Sequence, residues 1–211
     1  MKKEMDLSLY LVTDRSLTLG RSLDEVVEAA VKGGVTVVQL REKNCSTKEF
    51  LEQAIRLKAC LKPYGVPLII NDRLDIALAC DAEGLHIGQN DMPYETARRI
   101  LGSDKIIGLS VESMQDIVEA NELDVDYIGS SPVFDTTTKQ DTAKAFGLEG
   151  LHEAVKLSKH PAVGIGGINL TNATDIMKAG ADGICVVSAL MSAKDVYAAT
   201  VELKAALNRN R

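Results

Sequence analysis

The chain has 211 residues, 45% hydrophobic and 26% charged, the composition of a globular protein long enough for one sizeable core. Lys and Arg number 24 against 30 Asp and Glu, a net charge of −6, so no general field draws nucleic acid to it. No apolar run approaches the ~20 residues of a membrane span, which excludes that class too.

The start, Met1-Lys2-Lys3-Glu4-Met5-Asp6, is charged and leads directly into a strand-like run, without the apolar stretch of a secretory signal. Cys45, Cys60, Cys80 and Cys185 are scattered and form no C-x-x-C, so they read as thiols and the expected location is cytoplasmic. In chain order, a strand is expected at 8–13 and an amphipathic helix at 22–32, with Ser22 as N-cap and Gly33-Gly34 as stop. A second strand at 36–40 precedes a helix opened by Thr47 and running to about Leu61, where Lys62-Pro63 and Tyr64-Gly65 end it. Further strands follow at 68–70, 85–87, 106–110, 127–129, 162–165 and 183–187. Thr171 opens a helix closed by Gly180, and the last helix covers about 193–207.

Eight strand–helix units with continuous apolar strands predict an α/β fold, a (β/α)8 barrel forming one domain over 1–211. A doubly wound open sheet is the rival, but Asp14-Arg15-Ser16 follows the first strand where a glycine-rich nucleotide turn would be expected. In a barrel the site lies at the C-terminal ends of the strands, so the polar residues there become the functional candidates.

The second strand ends in an abrupt run of charge, and the period of two puts Gln39, Arg41 and Lys43 on the mouth side, with Leu40 and Glu42 facing away. The third and fourth strands end in Asn71-Asp72 and Gly88-Gln89-Asn90-Asp91; either aspartate alone reads better as a helix cap, while the pair beside Arg41 and Lys43 suits Mg²⁺. Ser110 ends the fifth strand, either as a hydroxyl aimed at a ligand or as lead-in to a helix capped by Ser113. After the sixth comes a long polar stretch holding Thr136, Thr137, Thr138 and Lys139, read as an anion-binding lid or a solvated loop. Gly166 and Gly167 after the seventh strand, with Val187 and Ser188 after the eighth, offer backbone N–H groups to a phosphate. His86 reads as a hydrogen-bonded core residue, and His152 and His160 as surface ones. Two anion sites, one basic with a metal and one neutral, fit two phosphorylated substrates.

The motifs LYLVTD (9–14), VQLREK (38–43), NDR (71–73), HIGQND (86–91), GLS (108–110), TTTK (136–139), GIGGI (164–168) and VVSAL (186–190) run the length of the chain in order. With them the chain resembles the thiamin-phosphate synthase family. The resemblance implies a transferase of thiamine biosynthesis. It would join 4-amino-2-methyl-5-hydroxymethylpyrimidine diphosphate to a thiazole ethyl phosphate, or its carboxylated form, through a dissociative pyrimidine carbocation. It implies further that Gln39, Leu40, Arg41, Glu42, Lys43, Asn71, Ser110 and Lys139 hold the pyrimidine diphosphate. Thr136, Thr137, Thr138, Gly167, Val187 and Ser188 would hold the thiazole phosphate, and Asp72 and Asp91 would bind Mg²⁺. The expected partners are these two small molecules, with no nucleic acid and no membrane; a homo-oligomer is allowed for.

Two positions depart from the family pattern, Ser131 before Pro132 and Asn90 before Asp91. The alternatives are a thiazole tautomerase-like relative, which would lack the QLREK set and carry a histidine near Pro132, and a non-catalytic binder of thiamine precursors. Schiff-base aldolases share the phosphate site, but their lysine sits inside an apolar strand, and Lys43 and Lys139 lie beyond strand ends.

Overall fold

A computed structural model describes residues 5–136 and 145–209. Eight parallel strands close on themselves in chain order: β1 (Leu9–Val12), β2 (Val37–Leu40), β3 (Leu68–Asn71), β4 (Gly84–Ile87), β5 (Ile106–Val111), β6 (Tyr127–Ser130), β7 (Ala162–Ile165) and β8 (Gly183–Val186). Closure is made by β8 pairing back to β1, with Leu9 opposite Ile184 and Leu11 opposite Val186. The expected (β/α)8 barrel is the observed fold, and each strand lies within a residue or so of its expected place.

Helices α1 (Leu23–Gly33), α2 (Thr47–Leu61), α3 (Leu74–Ala79), α4 (Tyr94–Leu101), α5 (Met114–Ala120), α6 (Gly147–Leu157), α7 (Ala173–Lys178), α8 (Ser188–Met191) and α9 (Val196–Asn208) surround the strands. Local chemistry sets their starts. Ser22 with Glu25, Ser46 with Glu49 and Ser113 with Asp116 each form a reciprocal capping box before α1, α2 and α5. Two starts differ from expectation. The Asn169 carboxamide oxygen accepts the N–H of Thr171 at 2.9 Å, which turns the chain before α7 can begin. The Asp195 carboxylate accepts the N–H of Ala198 at 2.9 Å and so fixes α9 later than its apolar pattern suggests. The short α8, which no sequence pattern marked, occupies part of the gap.

The strand period of two separates two cores. Tyr10, Val12, Val37, Ile69, Tyr127, Val163 and Cys185 fill the barrel. Leu9, Leu11, Val38, Leu40, Ile70, Ile128 and Ile184 face outward under helix residues such as Val26, Val27, Ala30, Leu57 and Ile176. The inner layer leaves no room for a side chain at Gly108. A Cβ on Gly108 would overlap the ring of Tyr127 on the neighbouring β6, which with Tyr10 of β1 is among the largest fully buried side chains.

Gly108→Ala therefore overpacks the barrel interior and should lower the free energy of unfolding by about 1–3 kcal/mol, read from urea denaturation. A change within error would show that the ring has room to move.

Candidate functional site

A cavity of about 340 Å³ opens at the C-terminal ends of the strands and reaches down to Tyr10, Tyr127 and Cys185. Its size is that of a small-molecule site.

On β2 and just beyond it, alternate residues enter the cavity: Gln39, Arg41 and Lys43 line it. The side chains of Leu40 and Glu42 do not; strand alternation turns them outward, so any contact they make with a ligand is by backbone. Leu40 is fully buried under the helices. The Glu42 carboxylate, only 7% exposed, accepts from the Arg15 guanidinium at 3.0 Å and 3.2 Å. That pair joins the segment after β1 to the segment after β2, and the Arg41 N–H donates to the Thr13 hydroxyl at 3.1 Å. The backbone that carries Arg41 and Lys43 is thus tied down on its outer side.

Asp72 follows β3 with a left-handed φ of 62°, and its N–H donates to the carbonyl of His86 at 2.8 Å. This twist, sparsely populated outside glycine, asparagine and aspartate, turns the carboxylate toward Lys43, whose Nζ donates to it at 2.5 Å. Asp91 accepts the N–H of Gly88 at 2.7 Å. Neither aspartate caps a helix; Arg73 and Pro93 hold those positions without side-chain caps. Burial, and then the neighbouring Asp72 carboxylate, push the Asp91 carboxyl above the usual carboxylate range. Two acids that compete for charge, with an ammonium already drawn to one of them, make a place suited to a further cation. Among the described residues no group of three or more His, Cys, Asp or Glu could hold a metal alone. A pair of carboxylates matches a Mg²⁺ that fills most of its shell with water and phosphate oxygens.

Asn71, 9% exposed, lines the cavity at the end of β3, and Ser110 lines it from β5. Gln89 Nε2 donates to the Ser110 carbonyl at 2.9 Å, which links the segment after β4 to β5. On the β7 and β8 side, Gly166, Gly167, Val187 and Ser188 border the cavity, with φ of 103° and 64° at the glycines. A Cβ on Gly167 would meet the Asp135 carbonyl oxygen at 2.8 Å, so the segment ending at Thr136 lies against this turn. Thr136 lines the cavity; Thr137, Thr138 and Lys139 lie outside the described residues.

The floor was not anticipated. Tyr10, Tyr127 and His86 join Gln39 and Ser110 in one hydrogen-bonded chain beneath the mouth. His86 is hydrogen-bonded and 9% exposed, as a core histidine would be, yet it also lines the cavity. The available signal was the strand alternation that aims the two tyrosines and His86 inward along with Gln39. His152, bonded to the Ala179 carbonyl at 3.0 Å, and His160, bonded to the Ala120 carbonyl at 2.9 Å, lie away from it.

A family model described as thiamine monophosphate synthase matches residues 9–190. The chain is 53% identical to thiamine-phosphate synthase of Syntrophomonas wolfei over 97% of this chain and 98% of that protein. To the enzyme of the same name from Albidiferax ferrireducens it is 53% identical over 94% and 90% respectively. The solved thiamine phosphate pyrophosphorylase of Pyrococcus furiosus superposes with a TM-score of 0.90 at 41% identity, covering 97% of each chain. That of Bacteroides thetaiotaomicron, at 18% identity and a TM-score of 0.68, shares the fold. The chain belongs to the thiamine monophosphate synthase family.

Proposed function

We propose that the chain is a transferase of thiamine biosynthesis. It condenses 4-amino-2-methyl-5-hydroxymethylpyrimidine diphosphate with 4-methyl-5-(2-phosphoethyl)thiazole, or its carboxylated form, to thiamine monophosphate and pyrophosphate. The observation that carries this reading is the meeting, in one cavity, of Gln39, Arg41 and Lys43 with Asp72 and Asp91, in a chain whose relatives bear that activity in their names. Residues 1–211 act as one catalytic domain, in the reducing cytoplasm, where Cys45, Cys60, Cys80 and Cys185 stay thiols.

The reaction breaks the C–O bond between the pyrimidinylmethyl carbon and the diphosphate, whose bridging oxygen keeps the electron pair. The thiazole nitrogen then supplies the pair for the new C–N bond. No protein nucleophile is needed. The work left to the protein is to hold the departing charge and to keep water from the cation. Arg41 and Lys43 face the diphosphate, and Lys43 exchanges Asp72 for a phosphate oxygen as the substrate enters. Asp72 and Asp91 would hold Mg²⁺, which supplies further positive charge to the leaving group when bound. Gln39 and Asn71 orient the pyrimidine, and Ser110 donates to it or to its diphosphate. Gly167, Val187 and Ser188, with Thr136, receive the thiazole phosphate; the family motif adds Thr137, Thr138 and, on the diphosphate side, Lys139.

Incubating the purified protein with both phosphorylated substrates and Mg²⁺ should yield thiamine monophosphate by mass spectrometry. Binding of both without product would make it a carrier and overturn the assignment. Removal of one charge-assisted donor commonly costs about 3 kcal/mol in the transition state, so Arg41→Ala and Lys43→Ala should each lose roughly a hundredfold in kcat/KM. Asp91→Asn should keep the fold by circular dichroism while the Mg²⁺ concentration for half-maximal rate rises at least about tenfold, as for loss of one carboxylate from a two-carboxylate site. An unchanged requirement would remove Asp91 from the metal site.

A further inference from the structure

The inner links of the polar chain on the cavity floor, Tyr10, Tyr127 and His86, have no task in the reaction as derived above. The full polar chain crosses five strands. Gln39 Nε2 lies 2.8 Å from Tyr10 Oη, Tyr10 Oη 2.7 Å from Tyr127 Oη, Tyr127 Oη 3.0 Å from His86 Nδ1, and His86 Nε2 2.9 Å from Ser110 Oγ. Burial pushes both phenols well above their ordinary pKa, so each keeps one proton to give.

With the Gln39 amide nitrogen toward Tyr10, counting protons sets the sense of the links that follow. The Gln39 amide nitrogen can only donate, so Tyr10 accepts from it and passes its own proton to Tyr127. Tyr127 then donates to Nδ1 of His86, which carries its proton on Nε2 and donates to Ser110. The Ser110 hydroxyl proton is left to point onward. The opposite sense satisfies the same atoms only if all members turn together, including the amide of Gln39 and the tautomer of His86. The two ends are therefore locked to each other. Both ends reach the ligand space. Among the described residues Ser130 Oγ is the only buried side-chain polar atom without a partner, and none of them donates to Gln39 Oε1, so that oxygen is not sealed in; Gln39 and Ser110 both line the cavity.

We propose that Tyr10, Tyr127 and His86 are positioning residues that set the floor to offer an acceptor at Gln39 and a donor at Ser110, and so select a 4-aminopyrimidine over its 4-oxo counterpart. This rests on the function proposed above. An exocyclic amino group donates to the Gln39 oxygen, whereas a 4-oxo group brings a second acceptor to the same place. Presenting a donor in place of the Gln39 oxygen requires the whole chain to reverse, with the imidazole proton moving from Nε2 to Nδ1.

Nitrogen NMR of the wild-type protein should find His86 protonated on Nε2 and not on Nδ1; the other tautomer overturns the proposal. Binding is measured by calorimetry with the 4-amino and 4-oxo pyrimidinylmethyl monophosphates, because the amino group also stabilises the cation and turnover would mix the two effects. Wild type should prefer the amino ligand by at least about 100-fold, as sites built around a hydrogen bond do. Tyr10→Phe, which frees the Gln39 amide to rotate, and Tyr127→Phe, which removes the next link, should narrow that preference to under about 10-fold. A purely structural role would weaken both ligands equally and leave the ratio intact, which would overturn the proposal. A wild-type protein that makes thiamine monophosphate yet binds both ligands alike loses only the relay; one that makes none loses the function it rests on.

Discussion

The two-residue alternation of strands in a closed barrel is the constraint on which the site depends. Once β8 pairs back to β1, every strand has one face toward a shared interior and one toward the helices, and no edge is left to absorb a slip of register. Gln39 and Arg41 enter the cavity because Leu40 between them is committed to the outer core. The same alternation brings Tyr10, His86 and Tyr127 together from strands distant in sequence. A shift by one residue in β2 would exchange the cavity-facing set for Leu40 and Glu42.

Charge at the mouth is balanced locally. The chain as a whole is acidic, yet Arg41 and Lys43 are brought beside Asp72 and Asp91 within one small volume. Burial makes ionisation of Asp91 costly, and Asp72 is already engaged with Lys43. Neutralising charge is most effective where water is scarce, and a diphosphate entering this space meets cations whose existing partners can be exchanged. Outside the cavity, Arg15 and Glu42 hold the backbone in place without sharing that task.

Much of this was legible in the residues. The barrel could be read because eight apolar runs alternate with amphipathic ones, and the basic cluster because three charges directly follow a buried strand. The outward turn of the Leu40 and Glu42 side chains was legible too, from the alternation alone. The late starts of α7 and α9 were hidden because a side-chain turn at Asn169 and a cap at Asp195 override the apolar pattern. The hydroxyl chain was hidden for a different reason. A tyrosine within an apolar strand looks like any large core residue, and only closure of the barrel shows that Tyr10 and Tyr127 meet at 2.7 Å.

The left-handed backbone at Asp72 narrows what its position accepts. Asparagine and glycine adopt that conformation about as readily as aspartate, while branched side chains do not. Folding therefore tolerates a change of carboxylate to amide there, and it is the electrostatics of the mouth, not the architecture, that demands an acid. Protein yield and melting temperature are accordingly poor guides to whether a variant at this position can still work.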